Sequence, residues 1–277
     1  MRRILNFPLG FAASLSEGLS TLNFQLSTFN SQPSTLIPLT PLLDLHTHTI
    51  ASGHAYSTIQ EMVQAAADRG LQILGITEHA PTLPGACNAI YFRNLHVVPR
   101  QMYGVRLLMG VELNILDTTG RLDLDEQHYR CCDLRIAGIH SLCWQGGTRS
   151  QNTDAMLAAI HNPWTHIISH PGDGTADLDF EPIVRAARDT QTLLEINSSS
   201  MIPLRHKETA RPNNLEILRL CRQMDVPVVL GSDAHISFSI ADYRYALPLL
   251  AETRFPDELV LNYWPEQALS YMHIGDA

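Results

Sequence analysis

The stretch LLDLHTHTIASGH (residues 42–54) opens on an apolar run and closes on three histidines. Leu42 to His46 has the length and apolar content of a buried parallel strand. His46 and His48 stand two apart, so both project to the same side of an extended chain. Asp44 shares that parity and is expected to hydrogen-bond a histidine ring from behind. Beyond the stretch, Ile59, Met62, Val63, Ala66 and Ala67 repeat at helical spacing, with Ser57 and Gln60 set as a capping box. Strand, histidines, helix: the unit then recurs.

Further short apolar runs follow at 71–77, 105–113, 133–140, 165–170, 192–197 and 226–232. Helical periods lie between several of them. Ala155, Leu157, Ala158 and Ile160 read as a helix after Asn152; Phe180, Ile183, Val184 and Ala187 give another, and Leu215, Leu218, Cys221 and Met224 a fourth. The segment after Glu112 reads as an irregular excursion turning at Gly120, and a last amphipathic helix is expected around Glu266 to Met272. Strands alternating with helices fit an α/β barrel or a doubly wound sheet.

Chemistry-bearing residues fall where these runs end. His46 and His48 close the first and His79 the second; Glu112 ends the third, His140 the fourth and His170 the fifth. Asp233 and His235 follow the seventh, and His54 lies just past the first pair. In a parallel barrel all these ends gather at one mouth. One strand-end histidine is usually a satisfied core residue. Seven with two carboxylates would be poorly compensated unless they bind metal. Nine ligands exceed what one zinc uses, whereas three bridged ions accommodate them. Three divalent ions against two carboxylates leave about +4, a vacancy suited to hydroxide and an anionic substrate such as a phosphate ester.

Composition narrows the rest. The 277 residues are 45% hydrophobic and 17% charged, with 13 histidines and a formal net charge of −9, which argues against gripping nucleic acid by bulk positive charge. No apolar run approaches the ~20 residues that span a bilayer, so no membrane partner is expected. The 5 cysteines include an adjacent pair and no CxxC, which favours a reducing, cytoplasmic setting. Residues 1–40 are rich in Ser, Thr, Asn and Gln. Arg2 and Arg3 hint at a secretory signal, but Asn6, Pro8 and Gly10 break the apolar stretch. A disordered tail or an over-extended start is expected there, with one domain over 41–277.

In order and spacing, DLHTHTIASGHAYST, GITEHAP, GVELNI, AGIH, ISHPG, LEINSSS and LGSDAH resemble the motifs of the PHP (polymerase and histidinol phosphatase) family, most closely its stand-alone bacterial phosphatase branch of the YcdX type. The resemblance covers Leu42 to about Met272 and implies a distorted (β/α)7 barrel, TIM-barrel-like, with a trinuclear metal site. It implies His46, His48, Glu112 and Asp233 on one ion, and His54, His79 and His235 on a second. Glu112 would bridge to a third ion held by His140 and His170. One departure is Glu78, where the family more often has Asp.

A metal-bridging hydroxide held by Glu112, Asp233 and His48 would attack phosphorus in line, with no protein nucleophile. Cys143 has no base partner in the sequence. Zinc is the first expectation for the three ions, with manganese or iron as alternatives. Arg205, Lys207 and Arg211 are candidates to clamp the substrate phosphate, with Arg93 and Arg100 weaker ones; Glu195 and Asn197 could face the mouth or fill the barrel. The leading reading is a phosphoesterase for a small phosphorylated molecule. A 3′–5′ exonuclease or oligonucleotide phosphodiesterase is the runner-up, followed by a histidinol-phosphatase-like enzyme and a non-enzymatic metal-binding barrel. Relatives in this branch imply a homo-oligomer, of which the sequence itself gives no sign.

Overall fold

A computed structural model describes residues 39–275; the expected tail lies outside them but for its last two residues. The strands are β1 (Leu43–Asp44), β2 (Ile73–His79), β3 (Gln101–Met102), β4 (Val105–Asn114), β5 (Leu134–Gly138), β6 (Ile167–Ile168), β7 (Leu193–Asn197) and β8 (Val228–Gly231). Longer helices are α1 (Ile59–Asp68), α4 (Arg149–Ile160), α5 (Phe180–Thr190) and α6 (Ala210–Met224). Short ones are α2 (Ile90–Arg93), α3 (Glu126–Tyr129), α7 (Leu247–Thr253) and α8 (Pro265–Tyr271).

Seven strands are parallel, in the order β1-β2-β4-β5-β6-β7-β8, and form a nearly closed barrel with helices outside. The doubly wound alternative does not hold. Chain order equals spatial order, as right-handed strand–helix–strand connections produce when they step one way round. The eighth strand, β3, is antiparallel to β4 and was not expected. Tyr103 and Gly104 join them, both at positive φ (52 and 80), a two-residue hairpin turn of the primed kind.

Period-2 burial separates two apolar layers. Leu43, Ile73, Leu108, Leu134, Ile136, Ile167, Leu193 and Val229 fill the barrel interior, joined at its base by Ala268 and Leu269 of α8. Leu74, Ile76, Leu107, Met109, Leu194 and Ile196 pack outward with the helices, including Met62, Val63 and Ala66 of α1.

Two helix starts differ from expectation. The capping box of α1 is Thr58 with Glu61 rather than Ser57 with Gln60, because both pairs match the same pattern one residue apart. Ser57 Oγ instead accepts from Ser237 N at 3.0 Å. Helix α4 begins at Arg149, capped by Thr148 and Gln151, so Asn152 lies inside it and its amide oxygen accepts from Gly147 N at 2.6 Å.

Between β8 and β1 there is no strand ladder among the described residues, and side chains stitch this seam. The Asn262 amide accepts from Leu230 N (2.6 Å) and donates to Leu43 O (3.0 Å). Asp44 accepts from Ser232 Oγ (2.5 Å) and Ala241 N (2.8 Å), which corrects its expected role behind a histidine ring. His48 N donates to Ala234 O at 2.9 Å nearer the mouth.

Candidate metal centre

Each interior column turns polar towards the C-terminal end of its strand. On one parity, Ile73 leads to His79 on β2, Leu108 to Glu112 on β4 and Leu193 to Glu195 on β7. Ile136 leads to His140 just past β5, and Val229 to Asp233 just past β8. Parallel register sets His79 beside Glu112.

All nine residues singled out for metal meet at this mouth. His46 Nε2 and His48 Nε2 are 3.1 Å apart, and they lie 3.3 and 3.5 Å from Glu112 Oε2 and 3.7 and 3.4 Å from Asp233 Oδ1. On the other side, Glu112 Oε1 lies 3.3 Å from His140 Nε2 and 2.9 Å from His170 Nε2, themselves 3.2 Å apart. His54 Nε2 and His235 Nε2 face each other at 3.0 Å, and the His54 ring stacks on His79 with centroids 5.0 Å apart. Ligands about 2 Å from a tetrahedral ion stand about 3.3 Å from one another. In three clusters the ligand atoms all lie within 4.8 Å of one another: His46 with His48 and Glu112, His48 with His79 and His235, and His79 with Glu112 and His140.

Orphaned atoms make the same point. His79 Nδ1, Glu112 Oε2 and His140 Nδ1 are buried without a well-directed hydrogen bond, although His79 Nδ1 and Glu112 Oε2 face each other at 2.8 Å. Unpartnered polar atoms at such depth are costly unless something coordinates them. The donor set fits divalent cations.

Surrounding groups aim the imidazoles. Glu195 Oε1 takes His46 Nδ1 (2.8 Å), Ser52 Oγ takes His48 Nδ1 (3.2 Å), and the carbonyls of Ser52 and Asp233 take Nδ1 of His54 and His235 (3.0 Å each). With Nδ1 occupied, each Nε2 is left for the cluster. Glu195 does more, accepting His170 N–H at 2.6 Å through Oε2. His170 and Asp233 both sit at positive φ (35 and 50), strained conformations at the heart of the site. Gly231 makes room for Glu195, since a Cβ there would lie 1.6 Å from Glu195 Oε1.

Burial pushes the His48 and His79 imidazoles down towards the neutral, ligating form; at His48 the neighbouring His79 adds to this. Burial pulls His46 down too, but Glu195, Glu112 and Asp233 outweigh it and hold the ring well above its usual value. Three carboxylates thus draw positive charge to one spot, which a proton or a divalent cation supplies. Glu112 and Asp233 stay well below the carboxylate range despite burial, because imidazoles surround them. Burial raises Glu78 to about 7, with donors from Ser52 and Thr49 pulling the other way.

A cavity of about 630 Å³ opens over the cluster, lined beyond it by apolar Leu83, Pro84, Ile139 and Leu142 and by polar Thr175, Ser200, Arg205 and Lys207. Of the expected phosphate clamps, Arg205 and Lys207 line it. Arg205 reaches Asp233 at 3.6 Å, and Lys207 is paired with Asp173. Arg211 does not line it; from the first turn of α6 it pairs with Glu252 near the end of α7. Arg93, on α2, and Arg100, held by Asp133 at 2.6 Å, are also absent from its walls. Burial pushes the Cys143 thiol up to about 11, so it is not an activated nucleophile.

A PHP domain is matched over residues 44–203. The chain belongs to the PHP family. A probable phosphatase of Caldicellulosiruptor bescii is 40% identical to this PHP protein over 232 residues, covering 84% of this chain and 95% of the relative. One from Acetivibrio thermocellus is 40% identical over 231 residues, covering 83% and 95%. Among solved structures, histidinol phosphate phosphatase of Lactococcus lactis, in complex with zinc, L-histidinol and phosphate, superposes with a TM-score of 0.54 at 18% identity, over 78% of this chain and 95% of that one. That likeness shows the PHP barrel fold. No helix among the described residues is long and apolar enough to cross a membrane.

Proposed function

We propose that this PHP protein is a metal-dependent phosphatase that hydrolyses a small phosphorylated molecule at a centre of three divalent ions. The observation that carries this reading is Glu112, whose Oε2 faces the His46–His48 pair while its Oε1 faces the His140–His170 pair. One carboxylate serving two nitrogen pairs favours ligand sets of His46, His48, Glu112 and Asp233, and of Glu112, His140 and His170. His54, His79 and His235 form the remaining set. When bound, the ions would supply an activated water at neutral pH and positive charge for the phosphoryl oxygens. The relatives named probable phosphatases, alike over nearly their whole length, support the reaction class. Zinc is the first choice of metal, since histidine-rich sets suit it and the Lactococcus lactis enzyme binds it.

The chain's own groups then have defined tasks. Arg205 presents its guanidinium at the mouth, where Asp233 is its nearest acid, and so is placed to clamp a phosphate. Lys207 is committed to Asp173 and shapes the wall. The apolar lining residues Leu83, Pro84, Ile139 and Leu142 accept the carbon skeleton of the leaving alcohol, and the volume suits a metabolite-sized substrate.

The test is a panel of phosphorylated metabolites and short single-stranded oligonucleotides, assayed with zinc or manganese beside a His48→Ala control, with metal per chain counted by elemental analysis. Phosphomonoester turnover with close to three ions, lost in the variant, is expected. Turnover of oligonucleotides alone would move the assignment to a nuclease, and undiminished activity in His48→Ala would reject the centre.

A further inference from the structure

Among the described residues, three acids line the cavity: Glu112, Asp173 and Asp233. Glu112 and Asp233 belong to the proposed ligand sets, which leaves Asp173. It is not open to a substrate. Asp173 is buried, and its Oδ1 accepts Thr175 N–H at 2.8 Å. Its Oδ2 accepts the Thr175 hydroxyl at 2.6 Å and the Lys207 ammonium as well. The three side chains close a ring, because Lys207 Nζ also donates to Thr175 Oγ1 at 3.2 Å. An ammonium has three N–H donors, so one remains. Lys207 lines the cavity with its side chain 30% exposed, and that last donor is open to a ligand. Asp123 does not line the cavity, and its oxygens are taken by Thr82 N (3.1 Å), Asn114 N (2.9 Å) and Asn114 Nδ2 (2.7 Å). An incoming alcohol therefore meets cationic donors, hydroxyls and apolar carbon, and no free carboxylate.

We propose that Lys207 is a specificity-determining residue: by capping Asp173 it bars cationic alcohols, and the substrate is the phosphate monoester of a neutral or anionic one. The inference rests on the phosphatase reading above and deepens it. In that reading the ester phosphate goes to the metal centre and Arg205, so a second polar group on the alcohol is the one that meets Lys207. A hydroxyl or a carboxylate accepts the free N–H. An ammonium sets like charge against like charge, with no acceptor nearby to offset it. The preference does not depend on the charge of Asp173. A proton there would leave Lys207 uncompensated and push the same way.

Ethanolamine phosphate, ethylene glycol phosphate and phosphoglycolate share a two-carbon skeleton and end in an ammonium, a hydroxyl and a carboxylate. With metal-loaded protein, kcat/KM for ethanolamine phosphate is expected to lie about 10–100-fold below the other two, mostly through KM. The same contrast is expected between cationic and other alcohols across the wider panel. Calorimetric titration with aminoethylphosphonate, hydroxyethylphosphonate and phosphonoacetate reads the order in binding, without turnover. Lys207→Met keeps the apolar stem and removes the charge, and the discrimination should shrink about tenfold. Wild-type protein that takes ethanolamine phosphate or L-histidinol phosphate as well as the neutral and anionic esters overturns the proposal, and needs no variant to fold. So does a folded Lys207→Met protein with the wild-type order and ratios. Metal-loaded protein that hydrolyses no ester of the panel overturns the phosphatase reading itself, and the two failures are told apart because the former leave turnover intact.

Discussion

Glu195 and His46 are 149 residues apart in sequence and 2.8 Å apart in the barrel. Through its other oxygen Glu195 takes the N–H of His170 at 2.6 Å and the Asn197 amide at 3.2 Å, so one carboxylate orients a ring on one side of the mouth and a strained backbone on the other. Glu195→Gln replaces an acceptor with a donor that faces donors. Zinc affinity is expected to fall about 10–100-fold. Isothermal titration checks this; an unchanged affinity would mean the ring is held by packing alone.

Arg205→Ala removes the one arginine that lines the cavity among the described residues. A charge-assisted hydrogen bond to phosphate contributes about 1.5–3 kcal/mol, so kcat/KM should drop about 10–100-fold. Arg211→Ala, which breaks only an exposed pair with Glu252, should stay within about twofold. Steady-state kinetics on the best substrate compares the two.

Gly231→Ala would drive a Cβ to 1.6 Å from Glu195 Oε1. The carboxylate cannot swing aside without releasing His46 and His170. Destabilisation of about 2–4 kcal/mol is expected, together with weaker zinc binding. Urea unfolding gives the first quantity and chelator competition the second.

His166 lies well away from the mouth, with its ring against Arg135. Burial, and then the guanidinium, push it down to about 3 from an ordinary 6.5. The folded value is depressed, so the unfolded chain takes up a proton first as pH falls. This contribution is full above about pH 6.5 and is lost on the way down to about pH 3, at up to about 1.4 kcal/mol per pH unit. Between pH 7 and pH 5, wild type should lose about 2 kcal/mol relative to His166→Gln, read from urea midpoints.

The barrel was legible because its strands announce themselves as short apolar runs, and parallel strand ends share one mouth whatever the connecting loops do. That logic reached all nine mouth residues. It could not place Arg205 against Arg211, because the loop and the start of α6 have no periodicity that fixes direction. Asp44 was read by strand parity, but β1 spans only Leu43–Asp44, and the carboxylate turns to the seam. Glu195 had the right parity to face the mouth, yet its partner His46 arrives from the far end of the chain. Pairings of that kind are set by closure of the ring and leave no trace in local spacing.

The stitched seam between β8 and β1 carries a consequence for how the chain assembles. In the proposed ligand sets, Glu112, His140 and His170 all come from the contiguous arc β4 to β6, whereas the other two draw on both ends of the chain. On those sets, a barrel that has not yet fastened its Asn262 clasp would offer one complete ion site and no more. On that proposal the number of tightly held ions would gauge closure: one for an open arc, three for a finished ring.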